Sequence, residues 1–292
     1  TFWTSITPYT AFQDIYELPP GHYLFLKNNE IKIIKYWQLE FNENSLIKSI
    51  DEAVEGLDEI FTDSVRIRLR ADVMVAAYLS GGIDSSATVS YINQIEPSVL
   101  NTFSIGFSDK DFDETDYQKQ AANYFNTNHL SVSINSDDIA DLFPEVIWHS
   151  EIPMIRTAPA PMHRLSRLVR ENNIKVVITG EGADEMLAGY NIFKESEVRR
   201  FWARNPASSF RPLLLKKLYP YLPQMKNASP QMLKMFFGYK LEDTDNPFYS
   251  HLLRWNNASH IKKHFSDEIK NTIHNYDPTE EVQRFIPSGF QN

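Results

Sequence analysis

Between Ser45 and Arg70, apolar residues return every three or four positions, at Leu46, Ile50, Val54, Leu57, Phe61, Val65 and Leu69. That period predicts a long amphipathic helix. Ahead of it, Gly21–Lys27 and Glu30–Trp37 flank Asn28-Asn29, the pattern of a β-hairpin with asparagine in its turn. Two strands alone are marginal in water, so the hairpin is expected to pack on another element. Beyond the helix, four apolar runs read as strands: Val73–Leu79, Leu100–Phe107, His129–Ile134 and Lys175–Thr179. Helical patterns alternate with them at Ala87–Ile92, Thr115–Phe125, Ser136–Ser150 and Pro161–Glu171. Such alternation predicts an α/β fold, a doubly wound parallel sheet with helices on both faces. After residue 190, prolines at 206, 212, 220, 223, 230, 247, 278 and 287 cut an aromatic-rich region into short segments. A helical region is expected there, and no internal repeat is visible.

Two loops carry the candidate chemistry. Ser80-Gly81-Gly82-Ile83-Asp84-Ser85-Ser86 follows the first sheet strand and opens a helix. Glycines at such a turn let backbone N–H groups approach an anion, and the helix N-terminus adds partial positive charge. No lysine stands where the G-x-x-x-x-G-K-[ST] loop has one, whereas Asp84 sits within the cradle. A carboxylate beside phosphate is consistent with a bridging divalent cation, so the loop reads as a pyrophosphate and Mg²⁺ site. The plain alternative is a Gly-Gly turn in which Asp84 and Ser85 cap a helix. The second loop, Gly180-Glu181-Gly182-Ala183-Asp184-Glu185, follows the last sheet strand and holds three acids between and after glycines. Its plain alternative is an acidic helix start that complements the helix dipole. If Asp84 and Asp184 shared one crevice about 4 Å apart, they would repel by about 4 kcal/mol at a dielectric near 20, a cost that a cation removes. Both loops fall beyond carboxyl ends of predicted parallel strands, where such sheets bind ligands.

Composition narrows the class. At 292 residues and 42% hydrophobic content the chain can build a core, and its formal net charge of -9 argues against a general nucleic-acid or anionic-membrane surface. No signal peptide and no apolar run of about 18 residues stands out, so the cytoplasm is the expected compartment. There is no cysteine, which excludes disulfides, thiolate metal sites and a cysteine nucleophile within these residues. The eight histidines show no HExxH or other close ligand spacing, and no metal is assigned to them.

Taken together, the two loops give a specific resemblance. Ser80–Ser86 matches the SGGxDSS pyrophosphate loop (PP-loop) of the ATP-pyrophosphatase superfamily, and Thr179–Glu185 resembles the SGEGxDE loop of asparagine synthetases. The nearer likeness is to the glutamine-hydrolysing asparagine synthetases, class II glutamine amidotransferases. Thr102–Phe107, Asp113-Glu114 and Ile155–Met162 add to it, and Pro19–Tyr23 through Tyr36-Trp37 looks like the end of that family's glutaminase domain. The resemblance implies an adenine nucleotide alpha hydrolase-like sheet. It divides the chain into a glutaminase remnant at 1–41 and a synthetase domain at 42–292, whose helical part, 190–292, is incomplete.

The implied reaction adenylates the aspartate side-chain carboxylate with ATP, releases pyrophosphate, and lets ammonia displace AMP. By motif position, Ser80, Gly81, Gly82, Ser85 and Ser86 hold pyrophosphate, and Asp84 and Asp184 coordinate Mg²⁺. Tyr78, Leu79, Ile105 and Gly106 lie against adenine, with Gly180 giving a backbone contact. Glu181 matches the glutamate that handles the ammonia proton. Arg156 binds a carboxylate or phosphate, or else makes a surface ion pair. The implied partners are aspartate, ATP and ammonia delivered from glutamine by a glutaminase domain, with no nucleic acid and no membrane, and a homodimer is admitted.

Two departures from the family pattern stand out. The glutaminase cysteine is missing, and the chain stops at Phe290-Gln291-Asn292 before the family's E-x-R-x-P-F-L-D motif. The expectation is therefore an internal fragment of a longer enzyme. Two other readings remain at this stage: a relative that closes β-lactam or peptide rings by adenylating a carboxylate, and a silent scaffold of the same fold. Glu181 favours ammonia use, because β-lactam-forming relatives replace it.

Overall fold

The computed structural model describes residues 2–40, 47–220, 225 and 227–287. The boundary expected at 41/42, the helix start at Ser45 and Leu46, Pro223 and the Phe290–Asn292 end lie outside them. The chain divides into two compact units, residues 44–183 and residues 1–43 with 184–292.

In the second of these, β1 (His22–Lys27) and β2 (Glu30–Lys35) form the antiparallel hairpin, with Lys27 opposite Glu30. Asn28 and Asn29 both take positive φ, 50° and 62°, the two-residue turn whose twist matches the strands and for which asparagine is favoured. The expected packing of this hairpin on another element is not found along its strands. Leu26 and Ile31 are 62% and 63% exposed. Near its open end, Pro19, Pro20 and Trp37 line a cavity of about 770 Å³ together with Val282, Phe285 and Ile286.

The 44–183 unit starts with α1 (Ile50–Arg68). Ser49, in extended conformation, sets its start by accepting from the Glu52 N–H, a side-chain N-cap that places the helix start later than the apolar period alone suggests. The stripe divides in two: Phe61, Val65 and Leu69 join the core, whereas Ile50, at 81% exposed, Val54 and Leu57 stay at the surface.

Four strands follow: β3 (Val75–Tyr78), β4 (Asn101–Phe107), β5 (Asn128–Ile134) and β6 (Val176–Ile178). They pair only in parallel, in the order β5-β4-β3-β6. The sequence thus leaves β3 toward β4 and β5 on one side and returns to β6 on the other. Between them lie α2 (Ile83–Ile95), α3 (Thr115–Phe125), α4 (Ser136–Ser150) and α5 (Pro159–Glu171). Alternation along β3 separates two cores. Ala77, with Leu79 just beyond the strand, packs with Val65, Val89, Ile92 and Ala122 on the side of α1, α2 and α3. Ala76 packs with Phe103, Leu165, Val169 and Ile174 on the side of α5. This is the expected doubly wound α/β sheet. Complete burial of a side chain such as Leu79 is worth about 1.5–3 kcal/mol.

α6 (Ala183–Leu187) spans the division between the units, and α7 (Asn191–Ala203) begins the helical region. Trp202, Leu215, Leu233 and Leu241 form its core. Beside them Glu195, 1% exposed, receives both Arg254 guanidinium nitrogens at 3.0 and 2.9 Å and the Tyr219 hydroxyl. Burial first, then the Glu195 hydrogen bond, raises the Tyr219 pKa. Arg199, fully buried, donates to the carbonyls of Phe237, Tyr239 and Tyr249. Among the described residues no helix is long and apolar enough to cross a membrane.

Candidate functional site

The carboxyl ends of β4, β3 and β6 lie side by side, and the loops that leave them form the candidate site. β3 ends as the Leu79 N–H reaches the Phe103 carbonyl at 3.0 Å. The Leu79 side chain turns into the core, so it cannot line the crevice, whereas Tyr78 is half-buried with its hydroxyl 3.4 Å from Ser166 Oγ.

The loop then clasps itself. Ser85 Oγ accepts from the Ser80 N–H at 3.2 Å, meets Ser80 Oγ at 2.9 Å and donates to the Gly82 carbonyl at 3.2 Å. Gly82 N–H in turn donates to Ser80 Oγ. These bonds commit the buried Ser85 hydroxyl to loop geometry and leave Ser80 at the surface. Gly81 takes φ +82°, and a Cβ there would stand 2.7 Å from Tyr117 C and 2.9 Å from Gln118 N. Backbone of α3 therefore sits where any other side chain would begin. α2 starts on Gly82, which offers no side-chain cap. Its first-turn N–H groups, the positive end of the helix, lack the side-chain acceptor that Ser49 and Asn135 supply to α1 and α4.

The second loop meets the first. A Cβ on Gly180 would lie 3.0 Å from Asp84 C and 3.1 Å from Ser85 N, so the two backbones approach closely enough that any larger residue would crowd them. Glu181 is exposed, Gly182 takes φ +93° with open space around it, and Asp84 is half-buried in the first turn of α2. Asp184, half-buried in the first turn of α6, belongs to the other unit. Arg156 is exposed on the connection between α4 and α5.

Ile105 and Gly106 occupy the end of β4, with the Gly106 backbone against Thr115 and Asp113. Asp113 accepts from the Thr115 hydroxyl and the Phe107 N–H, which hold its carboxyl below the usual range. A directed chain of hydrogen bonds runs beneath the strand. Gln118 Nε2 donates to the Ile105 carbonyl at 2.8 Å, and Ser104 Oγ donates to Gln118 Oε1 at 2.7 Å. With its proton so used, Ser104 accepts from His129 Nε2 at 3.0 Å, and His129 Nδ1 lies 2.9 Å from Thr102 Oγ1, which also meets Thr127 Oγ1. Burial holds the imidazole pKa below the usual histidine range, which favours the neutral ring. This network has no signature in the sequence. A second group was equally hidden: Glu145 and His149, one turn apart on α4, meet His163 from α5. Only the i, i+4 pair could have been noticed.

Sequence comparison agrees with this construction. Amidase chyE of Penicillium rubens is 35% identical over 202 residues, 63% of this chain and 30% of its own length. The glutamine-hydrolyzing asparagine synthetase 1 of Bacillus subtilis is 30% identical over 213 residues, 71% of this chain and 32% of its own. The chain spans about a third of the length of these curated relatives. Among solved structures, the NH3-dependent NAD synthetase of Campylobacter jejuni aligns over 70% of this chain and 98% of its own at 14% identity and a TM-score of 0.33. The asparagine synthase profile matches residues 56–284, a span that contains both glycine-flanked loops and the sheet that holds them, and the chain belongs to the asparagine synthase family.

Proposed function

We propose that this chain carries the amide-forming half of a ligase that adenylates the aspartate side-chain carboxylate with ATP and passes the acyl group to ammonia. The observation that supports this reading most is the approach of the Gly180 backbone to Asp84 and Ser85, which sets an acidic loop beside an uncapped helix N-terminus. A free carboxylate does not react with ammonia, because oxide would have to leave. Attack of a carboxylate oxygen on the α-phosphorus of ATP breaks the bond to pyrophosphate and leaves an acyl-adenylate. Ammonia then attacks the acyl carbon and expels AMP.

The chain's own part is largely electrostatic. N–H groups at the start of α2, with Ser80 and Ser86, receive the departing pyrophosphate, and Gly81 and Gly82 keep the approach open. Tyr78, Ile105 and Gly106 border the adenine position, the Ile105 carbonyl being taken already by Gln118. Glu181, exposed on its loop, takes a proton from the attacking ammonia. Arg156 binds a carboxylate or phosphate of the substrates. The carboxylate oxygens of Asp84 and Asp184 are hard donors that fit Mg²⁺. When bound, Mg²⁺ neutralises phosphate charge.

Exchange of labelled pyrophosphate into ATP by the purified chain tests the reading. Exchange that requires Mg²⁺ and aspartate, and that falls at least ~100-fold in Asp84→Asn, is expected. Release of inorganic phosphate with ADP, or exchange indifferent to aspartate, overturns it.

A further inference from the structure

Glu145, His149 and His163, none of them in the two loops described above, each bring one ligand atom within 4.8 Å of the others. We propose that these three residues form a binding site for a divalent transition metal of the zinc class. Glu145 and His149 share one face of α4 one turn apart, and the His163 ring from α5 stacks on that of His149, with centroids 5.6 Å apart and planes 28° off parallel. Glu145 Oε1 stands 3.9 Å from His149 Nε2 and 3.7 Å from His163 Nε2. Both distances are too long for hydrogen bonds. They are close to the separation of ligand atoms around one tetrahedral ion, about 3.4 Å when each bond is about 2.0–2.1 Å. His163 Nδ1 is buried without a hydrogen-bond partner among the described residues, whereas its Nε2 is the atom turned to Glu145.

Two imidazoles and a carboxylate suit zinc, nickel or copper better than magnesium or calcium. Three protein ligands beside solvent leave a fourth position for water. Arg167 Nη2 lies 2.8 and 2.9 Å from the two Glu145 oxygens. It covers one edge of the carboxylate and fixes its orientation, and a carboxylate has lone pairs left for a metal on the side of the histidines. Its charge opposes a dication, which weakens the site without removing a ligand. Bound metal would tie the end of α4 to the first half of α5 and so brace residues 151–158, the segment that bears Arg156.

The test is isothermal titration of the metal-stripped chain with Zn²⁺ as the only probe. One saturable equivalent is expected, unchanged in Asp84→Asn. His149→Ala, which alters a side chain 62% exposed and keeps the circular dichroism of the parent, should weaken it by more than about 100-fold, beyond what outer-shell changes cost. Glu145→Gln, which keeps the side-chain shape, should weaken it also. Absence of a saturable equivalent, or equal affinity in the parent and His149→Ala, overturns the proposal.

Discussion

Three of the four glycines in the two loops make a graded test of what holds the site. Replacement of Gly81 by alanine combines two costs. An L-residue at φ +82° is strained by about 1–3 kcal/mol. Its Cβ would stand 2.7 Å and 2.9 Å from backbone atoms of Tyr117 and Gln118, which cannot rotate aside, and overpacking of that kind costs about 1–3 kcal/mol more. The sum is about 2–6 kcal/mol. Gly182 has φ +93° and nothing within 4 Å, so Gly182→Ala carries the strain alone, about 1–3 kcal/mol. Gly82 has φ -72° and meets only Ser80 Oγ at 3.3 Å, and that hydroxyl can turn away. Gly82→Ala should therefore stay within about 0.5 kcal/mol of the parent. Scanning calorimetry reads the order directly. At about 2–4 °C per kcal/mol, Gly81→Ala should lower the Tm by about 4–24 °C, Gly182→Ala by about half as much, and Gly82→Ala by under about 2 °C. A Gly81→Ala chain as stable as Gly82→Ala would refute the argument that α3 backbone against the loop fixes its shape.

Two further outcomes follow from buried groups. Arg254→Met leaves Glu195 buried without its bidentate cation and should destabilise the helical unit by about 3–5 kcal/mol in urea denaturation; a loss below about 1 kcal/mol would show that Tyr219 suffices for Glu195. Burial lowers the His129 pKa in the folded chain, so below the unfolded value near 6.5 the unfolded state binds more protons and stability falls as pH falls. The His129 contribution is complete above that pH, and His129→Gln should flatten the acid side of the stability profile measured from about pH 7.5 to 5; an unchanged slope would assign the acid sensitivity elsewhere, for instance to His251, whose pKa burial also lowers.

The sheet was legible because its signals are local. Apolar runs mark β3 and β6, the Asn135 cap marks the start of α4, and α3 and α4 fall where the pattern puts them, Thr115–Phe125 and Ser136–Ser150. Strand ends were less so: Val73 and Met74 continue the apolar run but remain exposed, because the ladder to β6 begins only at Val75. Periodicity also cannot say how much of a stripe is covered. The same spacing runs from Ile50 to Leu69, yet its second half, Phe61, Val65 and Leu69, is the part that packs into the core.

Site chemistry divides along the same line. Glycines announce themselves in sequence when the backbone must go where other residues cannot, and Gly81 and Gly180 do so by the atoms a Cβ would strike. What a side chain does once there depends on neighbours far along the chain. Ser85 looks like a phosphate donor in its motif, yet its proton goes to the Gly82 carbonyl and Ser80 Oγ donates to Ser85 Oγ, so the anion-facing role passes to backbone N–H groups and Ser86, and to Ser80 once it turns from Ser85. Likewise the end of β4 is held through Gln118 and His129, which lie outside every motif that carries the family resemblance, and through Thr102. Local backbone demands are written in the sequence as glycine, whereas hydrogen-bond partnerships across strands are not. A variant such as Gln118→Leu, which leaves both loops intact, therefore probes a part of the site that no motif contains.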